Sequence, residues 1–236
     1  MRLRAKLKDI KTQAAWFFGL AVHQNRVAAM RRLSFPCAGL MSVIWVDPKK
    51  IKFKIVTGTK LSSRHDLFQP GTWSNDRICL KTHEAEDVRL MTCAELLLQD
   101  RAINQTTEFV QMCAKLQMGE QPRGLKSESD IELYISKQFE MYKQVQKDGR
   151  LKTQYELGES RFSGEINCVV GQDGELLKAT DGNHRFAVAR LLGLKSIPVQ
   201  VSRIHADLLP HVQSLSARSA TEAVNNYLQE LQARYS

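Results

Sequence analysis

The stretch Ile166-Asn167-Cys168-Val169-Val170, then Gly171-Gln172-Asp173-Gly174 and Glu175-Leu176-Leu177-Lys178-Ala179, decides the fold. An apolar run, a turn holding two glycines and a second apolar run read as two strands joined tightly. Asp181-Gly182-Asn183-His184-Arg185 follows, Phe186 to Leu192 has helical spacing that Gly193 stops, and Ile197-Pro198-Val199-Gln200-Val201 returns as a strand. That order predicts a sheet with a helix crossing between two of its strands.

Outward from this unit, Val43-Ile44-Trp45-Val46 and Ile51 to Val56 are further strand candidates, the second alternating apolar and basic. Gln69-Pro70-Gly71-Thr72 signals a turn. Cys93 to Leu98 and Thr107 to Leu116 have helical patterning, Gly119 to Ser129 reads as a loop, and a longer helix runs from about Ser129 to Lys147. Its apolar residues include Ile131, Tyr134, Ile135, Tyr142 and Val145, and Gly149 ends it. Ser219-x-x-Glu222 is a capping box for a final helix presenting Ala223, Tyr227, Leu228 and Leu231. The expected fold class is α+β: a small mixed sheet from residues near 43–56, 166–170, 175–179 and 197–201, with surrounding helices. The expected organisation is a basic arm at 1–33, a core at 34–210 with a helical insertion at about 61–160, and a C-terminal helix at 211–236.

The net charge of +9 is unevenly spread. Residues 1–60 hold thirteen Lys or Arg against Asp9 and Asp47, a net +11, which leaves −2 for the rest. A basic segment of this kind seeks a polyanion, either nucleic acid or an anionic membrane surface. The apolar run Ala14 to Val22, with Trp16, Phe17 and Leu20, is nine residues long and too short to span a bilayer. It could instead lie in a membrane interface or pack on the domain, so the expected location is cytoplasmic or peripheral at the membrane. Five dispersed cysteines without a CxxC argue against disulfides and zinc and for a reducing compartment. Cys168, inside an apolar run, reads as core.

The loop carries the chemistry. Gly182 lets backbone approach a ligand, and a helix start offers free N–H groups and positive potential. Asn183, His184 and Arg185 add side-chain donors, so the loop suits an anion, phosphate above all. Asp181 caps the helix through the N–H of His184, or contacts a metal or ribose. Glu165 is either a catalytic carboxylate beside the loop or a solvent-facing residue at a strand start. Arg203 and His205 follow the last strand, where they could close over a phosphate. Trp73 stacks on a base or packs, and His184 too has a purely structural alternative as a packing residue. Catalysis requires Glu165 and Asp181 to converge on the phosphate; a binding module needs only the basic groups. The chain has no Walker-A motif, which excludes a P-loop nucleotidase.

Over residues 161–205 this layout resembles the ParB/sulfiredoxin-like domain, whose members share a Gly-x-His-Arg or Gly-Glu-Arg-Arg loop at a helix start. Val46 to Ile51 looks like the family's opening strand entry. The whole layout is similar to an uncharacterised bacterial ParB-like group, matched by Gly71-Thr72-Trp73-Ser74, Glu165-Ile166, Asp181 to Arg185, and Arg203-Ile204-His205. Thr72 stands in place of an acid, and Ile204 separates a basic pair that is adjacent in the group. The resemblance implies ATP or CTP with Mg2+ as cofactor, and either a phosphotransferase or nucleotide hydrolase, or a non-catalytic module docking nucleotide or nucleic-acid backbone. Asn183 replaces the sulfiredoxin cysteine, so sulfinic-acid repair is not implied. Phe186 replaces the partition proteins' second arginine, which weakens a partition-type CTP switch.

Overall fold

The computed structural model describes residues 43–56, 59, 67–158 and 164–236. The basic arm at 1–33 lies outside them.

Among the described residues seven strands form one open mixed sheet: β1 (Val43–Val46), β2 (Phe53–Ile55), β3 (Phe68–Gln69), β4 (Arg77–Cys79), β5 (Ile166–Val170), β6 (Leu176–Lys178) and β7 (Ile197–His205). Their order is β1-β7-β5-β6-β2-β4, and β3 pairs with the end of β7. β5 and β6 form the antiparallel hairpin that the glycine turn requires. β7 returns parallel to β5, with Ile166 opposite Val199 and Val170 opposite Ile204. β2 runs parallel to β6 and antiparallel to β4.

β7 is longer than its apolar run suggests. The register shifts by one residue opposite Cys168 and Val169, with Ser202 the extra residue in β7; Arg203 and Ile204 still pair with β5, and β3 pairs with Ile204 and His205. The insertion at 61–160 is likewise not purely helical, because it contributes the short strands β3 and β4.

Six α-helices lie among the described residues: α1 (Val88–Leu97), α2 (Thr107–Gln117), α3 (Glu128–Asp148), α4 (Asn183–Leu191), α5 (Leu209–Ser214) and α6 (Ala220–Tyr235). Their ends follow local chemistry. Asp87 accepts from the N–H groups of Arg89 and Leu90 at the start of α1. Ser127 caps α3, which Gly149 ends in a left-handed conformation. Ser219 caps α6 through the N–H of Glu222, whose carboxylate reaches back to the N–H of Arg218.

Alternation along β5 divides the core. Cys168 and Val170 face the main cluster with Ile131, Ile135, Tyr142, Leu228 and Leu231, while Val169 joins Leu177, Ile55 and Trp73 on the other face. Each such buried aliphatic side chain contributes roughly 1.5–3 kcal/mol. The helices α1, α3 and α4 pack on the first face, and this places the first turn of α4 beside α2 and α3.

Candidate functional site

The loop between β6 and α4 is fastened at its glycine. Gly182 is the N-cap of α4 with φ +72, and a Cβ there would lie 2.5 Å from Ile166 Cα and 2.6 Å from the Glu165 carbonyl oxygen. The close approach is therefore to the protein's own strand. Asp181 does not cap the helix: no side chain does, and its carbonyl instead accepts from the N–H of Asn167. The left-handed turn at Gly182 gives Gly182 the cap position that the sequence pattern assigns to Asp181.

Arg185 and Glu165 meet inside the protein. Arg185 Nη2 lies 3.2 Å from Glu165 Oε2 and also donates to the Lys152 carbonyl at 2.5 Å. Glu165 Oε1 accepts from the N–H of Gln154 at 2.5 Å, and its side chain has no exposed surface. Burial pushes the Glu165 carboxyl above its ordinary range although Arg185 opposes this, and burial also lowers Arg185. The expectation of a solvent-facing Glu165 is overturned, and so is a reaching Arg185: the pair clips α4 to β5 and to residues 152–154.

His184 also points inward and is 8% exposed. Its Nε2 lies 2.8 Å from Tyr134 Oη and its Nδ1 2.5 Å from Tyr142 Oη, both tyrosines belonging to α3. Glu108 of α2 places a carboxylate oxygen 3.6 Å from Nε2. That charge favours the proton on Nε2, which leaves Nδ1 to accept from Tyr142. Burial alone would raise Glu108, but His184, Arg89 and Arg123 together hold it below the ordinary carboxylate range. Burial drives both tyrosine hydroxyls upward, Tyr134 to about 12. Arg123 is brought over the Tyr134 ring by a left-handed backbone, φ +57.

Lys178 completes the loop. The alternation of β6 puts it on the helix-covered face, and only 2% of it is exposed. Its ammonium donates to the carbonyls of Ala179 and Asp181 at 2.5 and 2.6 Å and to Asn183 Oδ1 at 2.9 Å. Asn183 in turn donates to the Thr180 carbonyl. Burial lowers the Lys178 pKa to about 8. Lys54 stands opposite Lys178 across the β2–β6 ladder, and burial lowers its pKa too. Like charges in register are unfavourable on their own.

The remaining expected residues sit at the other end of β5. His205 Nδ1 accepts from the N–H of Asp207, so the ring proton is on Nε2, which donates to the Gly71 carbonyl at 2.6 Å. Trp73 packs rather than projects: its Nε1 donates to the Gln69 carbonyl and its ring lies 5.5 Å from that of His205. Ser74 accepts from the N–H of Gln172 in the β5–β6 turn. Arg203, half-buried in β7 opposite Val169, is lowered by burial. Four strand steps separate Ile166 from Val170, about 13 Å. His205 therefore does not close over the Asp181–Arg185 loop. The two sequence pieces Gly71–Ser74 and Arg203–His205 do come together, with each other.

No site role is legible in the sequence for Lys178, Tyr134, Tyr142 or Glu108. One signal exists for Lys178, a lysine where β6 needs a buried residue. Another exists for Glu108, an acid four residues before Met112 on the buried stripe of α2. Among the described residues no group of three or more His, Cys, Asp or Glu could hold a metal ion, and Cys79, Cys93, Cys113 and Cys168 are free thiols. No helix among the described residues is long and apolar enough to cross a membrane. What fold and site define is a mixed α/β protein with an internally fastened loop at a helix start. No protein-family model matches the sequence, and neither the curated proteins nor the solved structures offer a match.

Proposed function

We propose that this protein is a ParB/sulfiredoxin-like binding module that docks a phosphorylated ligand, such as ATP or CTP, at residues 180–183, and that it is a binder more than a phosphotransferase. The observation behind this reading is the pair Lys54 and Lys178, in register on adjacent strands, with Lys178 bonded to the loop that opens α4. Two cations and a helix start without a side-chain cap favour an anion here, with Asp87 and Asp181 offsetting the lysines in part. Gly182 and Asn183 would supply backbone contacts, while His184 and Arg185 hold the helix start rigid. Rigidity matters because a preformed site loses little entropy on binding.

The preference for binding over catalysis rests on the carboxylates. Glu165 is consumed by Arg185 and Gln154, and Asp181 is exposed, so the two do not converge on one phosphate. Magnesium would enter on the nucleotide's own phosphates, with Asp181 the nearest exposed acid. The arm at 1–33 would separately direct the protein to an anionic membrane or nucleic acid, in the reducing cytoplasm that its cysteines suit.

Calorimetric titration with ATP, CTP, GTP, ADP and inorganic phosphate, with and without Mg2+, tests the reading. At least one should bind, and Lys54→Gln should weaken it by about tenfold, the loss of a charge-assisted contact. Phosphate release on prolonged incubation would favour the phosphotransferase or hydrolase reading instead. Absence of binding by all five ligands would end both.

A further inference from the structure

A second feature lies at the other end of α4, where a cavity of about 970 Å³ opens between α1, α4 and the segments flanking β2 and β4. Its floor is hydrocarbon: Ile51, Leu80, Leu90 and Ala94, with Phe53 on one wall and Met91, 37% exposed, at the lip. Three lysines reach its mouth from three separate segments. Lys49 comes from the turn after β1, Lys52 from the approach to β2, and Lys81 from the residue pair after β4. All three are exposed. The lining holds one acid, Glu84, and Arg190 neutralises it in an ion pair while stacking on Phe186. The neighbouring Lys50 is turned away, bonded to the Ser236 carbonyl. Among the described residues no ion pair compensates these three positive charges over the apolar floor.

We infer that this cavity binds a single-chain amphiphile with an anionic head, its hydrocarbon tail on the floor and its head among Lys49, Lys52 and Lys81. The volume lies at the upper end of the range for small-molecule sites. The floor offers no hydrogen-bond partners of the kind a nucleobase needs when it leaves water, which disfavours a nucleotide there and suits an alkyl chain. Lysine ammonium groups act as point charges without the fixed fork of arginine, so carboxylate and phosphate heads fit alike. Charge complementarity disfavours cationic amphiphiles and leaves neutral ones with the tail contribution alone. This site is independent of the proposed phosphate site at 180–183.

The test is displacement of a fluorescent fatty acid from the full-length protein, with every competitor kept below its micelle-forming concentration. Laurate and dodecyl phosphate should both compete, and dodecanol and dodecyltrimethylammonium should compete at least about tenfold less well, the combined effect of three exposed charges. Replacing Lys49, Lys52 and Lys81 together by glutamate should remove that preference while leaving dodecanol unchanged. Since all three are at the surface, the fold should survive, as circular dichroism will show. Ala94→Phe fills the floor and should abolish binding of every competitor; should that variant unfold, Met91→Trp at the lip serves the same purpose. Equal competition by dodecanol, or retained laurate preference in the lysine variant, would overturn the proposal. So would competition by an acidic amphipathic peptide but by neither dodecyl anion.

Discussion

The two ends of β5 are built on opposite principles. At its start, charged groups are buried: Glu165 against Arg185, and Lys178 against three oxygen acceptors. At its finish, neutral hydrogen bonds predominate, with His205 between Gly71 and Asp207, Trp73 on Gln69, Ser74 on Gln172, and Arg203 a half-buried charge alongside. Buried ions are costly to desolvate and more costly to leave unpaired, whereas a neutral hydrogen bond lost is a modest matter. The charged end should thus be the more sensitive to substitution, and the neutral end the more tolerant.

The largest expected effect breaks the ion pair. Arg185→Ala strands the Glu165 carboxylate and should cost about 3–5 kcal/mol in a denaturant melt, whereas replacing both residues by methionine should cost far less. A small loss in the single variant would show that Arg185 is not a fastening residue.

Next in size is a pH effect at Lys178. Its folded pKa of about 8 lies below the ordinary 10.5, so between these values the unfolded chain holds the proton more strongly. This residue therefore costs stability below pH 8, and the cost fades as pH rises toward 10.5. Stability of the wild type relative to Lys178→Met should climb between pH 8 and 10; a flat difference would mean that the ammonium is adequately compensated in the fold.

His205→Phe, the smallest, should cost about 1–1.5 kcal/mol through loss of the Gly71 contact. Hydrogen exchange should quicken around residues 67–75 and 171–174, with no change at 180–186. Faster exchange at both ends would mean that the two are coupled along β5, contrary to the comparison.

The sequence makes the neutral architecture more legible than the charged one. Alternation reveals β5, β6 and the first half of β7, and helical spacing with Gly149 and Ser219 locates α3 and α6 nearly to the residue. These are local signals, spaced by two or by three to four residues. The end of β7 was hidden because it depends on a register shift against β5, thirty residues away, with Ser202 the extra residue in β7. The same holds for the loop. Asp-Gly-Asn reads naturally as an aspartate cap, and only the approach of Gly182 to Ile166 moves the cap by one residue. His184 and Arg185 are recognisable as chemically capable, but which way they point depends on Tyr134, Tyr142, Glu108 and Glu165, partners that no spacing rule connects to them. The mouth of the cavity is equally distributed, one lysine from each of three segments.

The contacts of α4 also bear on modularity. Residues 164–205 have the outline of a small transferable unit, with the helices before it resembling an accessory graft. Yet the first turn of α4 draws its partners from α2, from both halves of α3 and from the Lys152 carbonyl. Loss of that graft would leave the His184 imidazole without its tyrosine partners and the Arg185 guanidinium with Glu165 alone. The accessory helices and the loop are thus one physical unit, and shortening the former would require new partners for the latter.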